Sequence, residues 1–112
     1  MIDSIRRTDY TEDWMEVRFR DSCYDQLEVD PQYNGGWSPA VVKAYRNRLN
    51  YIRQAQDERD SYAWKALRME KLQGNRQHQY SMRLNDQWRL VVEFEGNSPN
   101  KALVIVKIED YH

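Results

Sequence analysis

The chain has 112 residues and a mass of 13.6 kDa, so we expect one domain, residues 1–112, with a single modest core. Hydrophobic residues make up 40% of the chain and charged residues 31%, which excludes a disordered chain. The longest uninterrupted apolar run, 102–106, is too short to cross a bilayer, and the single cysteine cannot form an internal disulfide. Because the first ten residues also lack the apolar segment of a secretory signal, we expect a cytoplasmic protein without a membrane contact.

The net charge of −1 is distributed unevenly. Residues 1–60 carry nine Lys/Arg against twelve Asp/Glu, a balance of −3, whereas residues 61–112 carry eight against six, a balance of +2. Nucleic-acid-binding proteins normally show a basic surplus. The charge therefore allows a local RNA-binding face in the C-terminal half and is only weak support for one.

The N-terminal third predicts one strand, one helix and an irregular segment. Residues 2–6 are typical of a short strand, and Thr8 or Asp9 can cap a helix that follows it. The buried face of this helix would contain residues at spacings of four and three: Tyr10, Trp14 and Val17. Residues 20–38 lack periodicity and contain Asp-Pro and Asn-Gly-Gly turn signals, which predict a loop or short irregular piece.

A second helix is predicted to open at Ser38 and Pro39, because serine is a favoured N-cap and proline is tolerated in the first turn. Its buried stripe is defined by four residues at helical spacing: Val42, Tyr45, Leu49 and Ile52. The opposite face is basic and carries Lys43, Arg46, Arg53 and, further on, Arg59. That face is either a solvated surface or a contact with an acidic partner or RNA.

The C-terminal half predicts a sheet. Residues 61–70 are expected to form a short helical or irregular connection that ends near a turn at Gly74. Three strands follow, separated by polar turns, at 80–84, 88–94 and 103–109. The order β-α-α-β-β-β predicts an α+β fold in which two N-terminal helices pack on one face of an antiparallel sheet.

The last residues of the given sequence can donate or accept protons. Asp110, Tyr111 and His112 follow the last predicted strand, and histidine changes its protonation near neutral pH. They are either a frayed polar terminus or an acid–base group. In the preceding strand, alternation places Arg89 on the same face as Val91, where it could form a cross-strand pair.

Four short motifs follow one another in the second half: Leu72-Gln73-Gly74, the run Tyr-Ser-Met-Arg-Leu-Asn at 80–85, Trp88-Arg89-Leu90 and Asp110-Tyr111-His112. In this order they resemble the HigB-type toxins of the RelE superfamily, the toxin halves of bacterial toxin–antitoxin pairs. The resemblance is close over roughly the last 46 residues and loose over the first 66. It implies a RelE-like fold and a ribosome-dependent mRNA endonuclease, a hydrolase that its antitoxin neutralises.

The resemblance also implies a mechanism. A base removes the proton of a ribose 2′-hydroxyl, the alkoxide attacks the adjacent phosphate, and an acid protonates the 5′-leaving oxygen without a metal. Arg89 would hold the scissile phosphate and stabilise its charge. Asp110, Tyr111 and His112 match the catalytic triplet of the family, and His112 is the natural acid or base. How the three residues divide the remaining roles stays open.

Two positions could add to this chemistry. Glu70 stands where the family often has a histidine. A carboxylate can act as the base if burial or a neighbour raises its pKa, and otherwise Glu70 is a solvent-exposed residue. His78 has no counterpart in the family, and it is either an exposed turn residue or an RNA contact.

The turn at Gly74 departs from the family pattern. Gln73 replaces the usual lysine, which removes one cation expected to bind a phosphate. Lys71 and Arg76 are close enough in sequence to supply a cation instead. We therefore predict RNA contacts at Lys71, Arg76 and Arg83.

No metal or cofactor is expected, because the two histidines and Cys23 have no ligand-like spacing and there is no glycine-rich phosphate loop. The expected partners are the 70S ribosome with its mRNA and a co-encoded, HigA-like helix-turn-helix antitoxin, docked on the basic helix. One alternative is a toxin of this fold that inhibits a protein target; another is a degenerate toxin that only binds its antitoxin. His112 favours the nuclease, whereas the net charge and Gln73 favour the degenerate toxin.

Overall fold

The computed structural model describes residues 16–55, 61–96 and 101–110. In chain order the elements are β1 (Glu16–Phe19), α1 (Ser22–Val29), α2 (Pro39–Gln54), α3 (Ser61–Ala66), β2 (Glu70–Lys71), a 3-10 turn (Gly74–Arg76), β3 (Gln79–Arg83), β4 (Trp88–Glu95) and β5 (Ala102–Asp110). The strand expected at 2–6 and the beginning of the first expected helix lie outside the described residues. The three C-terminal strands agree with their predicted ranges, and α3 lies within the expected connection.

The strands form one sheet in the order β1-β5-β4-β3-β2. Strands β2 to β5 pair antiparallel with their neighbours, whereas β1 pairs parallel with β5, with Val17 opposite Leu103. The predicted α+β class is confirmed, but the prediction of a wholly antiparallel sheet is wrong at β1. The parallel pair joins segments from opposite ends of the described chain, and no local sequence pattern predicts a pairing between segments so far apart.

The first predicted helix is wrong at its C-terminal end, because Val17 lies in β1. Within β1, Val17 and Phe19 are half-buried against the core, while Glu16 and Arg18 are exposed. This alternation of period two, together with pairing to β5, outweighs the helical spacing that suggested otherwise.

The segment 20–38 contains α1, so the prediction of an entirely irregular piece is also wrong. Asp21 begins the helix by accepting a hydrogen bond from the Cys23 N–H at 3.1 Å. Leu27 is its fully buried residue, so a helix this short leaves little apolar periodicity in the sequence. Its stability depends on contacts made by other elements.

Helix α2 begins and is buried as predicted. The Ser38 hydroxyl accepts a hydrogen bond from the Val41 N–H at 3.3 Å, and Pro39 is the first helical residue. The whole predicted stripe is buried: Val42, Tyr45, Leu49 and Ile52. It packs with Leu27 and with buried side chains of β3, β4 and β5, so α1 and α2 cover one face of the sheet.

Two tyrosines connect the helices to the end of β5. The Tyr45 hydroxyl donates to the Tyr24 carbonyl oxygen at 2.8 Å, and the Tyr24 hydroxyl accepts from the Ile108 N–H at 3.0 Å. These bonds satisfy buried polar groups and fix the position of β5 just before Asp110.

Candidate functional site

The face of the sheet turned away from the helices carries a charged cluster near the end of β5. Residues paired directly across strands place their side chains on the same face. Two adjacent rows lie here: Arg83, Arg89 and Glu109 in one, and Glu70, Ser81, Val91 and Lys107 in the other. The expected orientation of Arg89 is therefore confirmed.

A register shift in β5 keeps these charges together. Val91 pairs with Lys107 but Val92 pairs with Ile105, so β5 contains one extra residue at this point. Ile105 and Ile108 both belong to the core, although strict alternation would place them on opposite faces. Lys107 and Glu109 consequently lie on the charged side.

Glu109 is the centre of the cluster and binds two arginines. Arg76 donates from Nη1 and Nη2 to the two carboxylate oxygens, each at 2.9 Å. Arg89 donates to Oε2 from Nη2 and, at 3.0 Å, from Nε, while Lys107 Nζ lies 3.4 Å from Oε1. Hydrogen bonds from Arg76, and then from Arg89, lower the pKa of Glu109 to about 2. Three cations thus surround one carboxylate, which leaves the site positively charged.

Gln79 connects this cluster to a second one. Its Oε1 accepts from Arg76 Nε at 3.0 Å, and its Nε2 donates to Glu93 Oε2 at 2.7 Å. Glu93 also accepts from Arg20 Nη2 at 2.9 Å, and His78 Nε2 lies 3.5 Å from Glu93. The polar network therefore runs across the sheet from Arg89 to Arg20, with the largely exposed His78 at its border.

Glu109 should make the fold sensitive to acid. Its folded-state pKa of about 2 lies below the ordinary value of 4.5, so the ionised carboxylate stabilises the protein above pH 4.5. This contribution, on the order of 3 kcal/mol, is lost as the pH falls from 4.5 towards 2. We expect Glu109→Gln to flatten the dependence of the unfolding free energy on pH across this range.

Urea unfolding at a series of pH values measures this effect. Glu95→Gln is the matched control, because Glu95 is an exposed carboxylate of the neighbouring strand β4. Parallel acid profiles for Glu109→Gln and the wild type would show that Glu109 does not stabilise the fold in this way.

Two other predicted site residues share the face of Arg89. Arg83 lies directly opposite Arg89 and is exposed, and its carbonyl oxygen accepts from Arg48 Nη2 at 3.0 Å. Glu70 lies in the adjacent row on the edge strand β2. Its side chain is exposed, so burial does not prepare Glu70 to act as a base.

Two predicted site residues, Lys71 and Asp110, are not brought into the cluster. Lys71 pairs with Tyr80, whose side chain packs against the core, so Lys71 lies on the opposite face from Arg89. Asp110 pairs with Trp88, also on the helix side, and its Oδ2 accepts from Gln87 Nε2 at 3.4 Å. Tyr111 and His112 lie outside the described residues.

Sequence reasoning missed five members of the network: Arg20, Gln79, Glu93, Lys107 and Glu109. A signal for the last two exists, since both flank the core residue Ile108 and alternation places them beside Arg89. The contact of Glu109 with Arg76 could not be anticipated, because Arg76 comes from the separate 3-10 turn.

The basic face of α2 is largely engaged within the protein. Arg46 donates to three carbonyl oxygens at and beyond the C-terminal end of α1: those of Leu27 (2.9 Å), Asp30 (2.8 Å) and Tyr33 (3.2 Å). Arg53 forms a two-pronged ion pair with Glu28, at 2.6 and 2.9 Å. These arginines hold α1 against α2, so their proposed role as a docking face is withdrawn.

Arg46→Ala is expected to lower the free energy of unfolding by about 2 kcal/mol, because three carbonyls lose a charged donor. Lys43→Ala, an exposed change on the same helix, should stay within about 0.5 kcal/mol of the wild type. Urea denaturation compares the two. Equal stability of both variants would contradict the role assigned to Arg46.

Among residues 16–55, 61–96 and 101–110, no group of three His, Cys, Asp or Glu side chains could hold a metal ion. The helices within these same ranges are all too short or too polar to cross a membrane.

Comparisons with known proteins agree with this architecture. Residues 17–112 match a HigB-like toxin family, described as the RelE-like toxin of the type II toxin–antitoxin system HigB. Comparison with curated proteins gave no match. The chain is similar in structure to a YoeB/ParE toxin from Agrobacterium tumefaciens, with a TM-score of 0.55 and 14% sequence identity, covering 88% of this chain and 100% of that one. At this identity the structural likeness concerns the fold alone.

Proposed function

This chain belongs to the HigB-like family of RelE-like toxins from type II toxin–antitoxin systems, and from this premise we propose that it is a ribosome-dependent messenger-RNA endonuclease. The observation that carries the proposal is the convergence of Arg76, Arg89 and Lys107 around Glu109 on the face opposite the helices. Guanidinium groups placed side by side suit an RNA phosphate and the charge that it develops during cleavage.

The proposed chemistry is an attack of a ribose 2′-hydroxyl on the adjacent phosphate. Arg89 holds the phosphate, and His112 transfers a proton as acid or base, assisted by Tyr111. Asp110 lies on the opposite face of the sheet from Arg89 and is given no direct contact with the phosphate. Tyr111 and His112 follow Glu109 by two and three residues in the sequence, and we propose that they complete the site beside the arginines. Glu70 is the candidate for a second proton-transfer group, since it shares the face of Arg89.

Dependence on the ribosome follows from electrostatics. The chain has a net charge of −1, and Glu93 and Glu109 lie among the basic residues of the proposed RNA face. Affinity for free RNA should therefore be poor, whereas a ribosome presents mRNA in an ordered form. We therefore propose that the protein acts in the cytoplasm, where translation occurs.

Induced expression in a bacterium tests the proposal. Mapping of mRNA 5′ ends soon after induction should reveal new cuts within translated reading frames. Growth arrest with intact mRNA would overturn the endonuclease and favour a toxin that acts on a protein target.

Membership of a type II family implies a co-encoded antitoxin. We expect a small helix-turn-helix protein similar to HigA that forms a stable complex with this chain. Co-expression and pull-down with each adjacent open reading frame should recover the complex at high salt. Failure of every neighbouring product to bind would contradict this partner.

A further inference from the structure

Glu109 lies between Arg76 and Arg89, in the position that an RNA phosphate bound to both arginines would occupy. Its Oε2 accepts from both Arg76 and Arg89, so one carboxylate oxygen joins the two guanidinium groups. The side chains of Arg89 and Glu109 are only 19% and 14% exposed. The contact is therefore well shielded from water, unlike an ordinary surface ion pair.

A carboxylate and a phosphodiester can bind these arginines through the same kind of hydrogen bonds. Each presents oxygen atoms that share one negative charge and accept parallel N–H bonds from a guanidinium fork. Arg76 already uses Nη1 and Nη2 on Glu109 and Nε on Gln79. A phosphate that is to bind both arginines must therefore compete with Glu109.

We propose that Arg76 and Arg89 form a joint binding site for one RNA phosphodiester, which the Glu109 carboxylate occupies in the free protein and from which RNA must displace it. Glu109 thereby determines specificity, because loosely bound RNA does not displace the carboxylate, whereas mRNA held in place by the ribosome does. The inference rests on the proposed function for the identity of its ligand. It adds a residue that the terminal catalytic triplet does not include.

Substitution of Glu109 by glutamine tests the proposed site. The ligand used is a 2′-deoxyoligonucleotide, which cannot be cleaved because it lacks the 2′-hydroxyl. Glutamine keeps the shape and one acceptor oxygen, and Gln79 still holds Arg76, so the arginines keep much of their arrangement. Binding to a fluorescent single-stranded 2′-deoxyoligonucleotide is measured by anisotropy over a range of salt concentrations. Glu95→Gln is the control, because it removes the same charge from an exposed glutamate of the same sheet. Glu95 forms ion pairs with Arg18 and Arg20 and not with Arg76 or Arg89.

We expect Glu109→Gln to bind the oligonucleotide about tenfold more tightly than the wild type, and Glu95→Gln to stay within about twofold of the wild type. The salt dependence of Glu109→Gln should steepen by about one phosphate contact. Adding Arg76→Ala to Glu109→Gln should remove the gain. The proposal is overturned if Glu109→Gln binds no more tightly than Glu95→Gln.

A second measurement uses the wild type and does not depend on whether the variant folds. Nuclear magnetic resonance can follow the carboxyl carbon of Glu109 and the Nε–H groups of Arg76 and Arg89 as oligonucleotide is added at low salt. All three signals should shift together, and shifts of the arginines without Glu109 would contradict displacement. Because both measurements report binding, an inactive wild-type protein would defeat the proposed endonuclease without deciding this inference.

Discussion

Replacement of Arg89 by alanine is expected to lower the rate of mRNA cleavage on ribosomes by at least about a hundredfold. Arg89 lies in β4 and binds Glu109 of β5. Glu109 precedes Tyr111 by two residues in the sequence. Loss of a charged contact to the phosphate in the transition state typically costs about 3 kcal/mol, which corresponds to this change in rate. Primer extension on programmed ribosomes under single-turnover conditions measures it.

Arg18→Ala is the matched control for Arg89→Ala. Arg18 is an exposed arginine of β1 that pairs with Glu16, away from the charged cluster, so its loss should change the rate less than twofold. Arg89→Lys keeps the charge but lacks the guanidinium fork, and we expect an intermediate rate. A cleavage rate for Arg89→Ala within threefold of the wild type would remove Arg89 from the active site.

A chain that ends at Asp110 is expected to cause no growth arrest. The deletion removes Tyr111 and His112, the proposed proton-transfer residues, while β5 and all other described elements remain. Induced expression of the truncated and full-length chains at equal soluble levels measures the difference by colony counts. The loss should be complete within the range of the assay.

His78→Gln provides the comparison for this truncation, because it removes the one other histidine of the chain. His78 is 64% exposed and lies at the border of the polar network, so toxicity should persist. Circular dichroism of the purified truncated chain verifies that it folds. Growth arrest by the truncated chain equal to that of the full-length protein would contradict a catalytic role for the terminal residues.

The elements predictable from the sequence are those whose stability is local or strongly periodic. Helix α2 has both a serine cap and a long apolar stripe, and polar turn sequences separate β3, β4 and β5, although burial does not alternate strictly along these strands. Helix α1 was missed because Arg46, a residue of another helix, binds the carbonyls at its end. Strand β1 was missed because its pairing with β5 is distant in sequence.

The same distinction between local and distant determinants applies to the candidate site. Simple alternation in β4 was sufficient to place Arg89 on the correct face. Alternation around the core residue Ile108 would also place Glu109 beside Arg89, but its other partner, Arg76, depends on the path of the 3-10 turn. The spacing of residues does not encode that path, so the joint contact of the two arginines with Glu109 is visible only in three dimensions.

We propose that this toxin cuts mRNA on the ribosome through attack by a 2′-hydroxyl, and a cleavage assay tests this most directly. Purified protein can be mixed with 5′-labelled mRNA, alone or bound to 70S ribosomes, and the ends of the fragments analysed. We expect rapid cleavage only on ribosomes, an upstream fragment that ends in a 2′,3′-cyclic phosphate, and no cut where the nucleotide is 2′-deoxy. Intact mRNA on ribosomes, or equally rapid cleavage of naked mRNA at physiological salt, would contradict it.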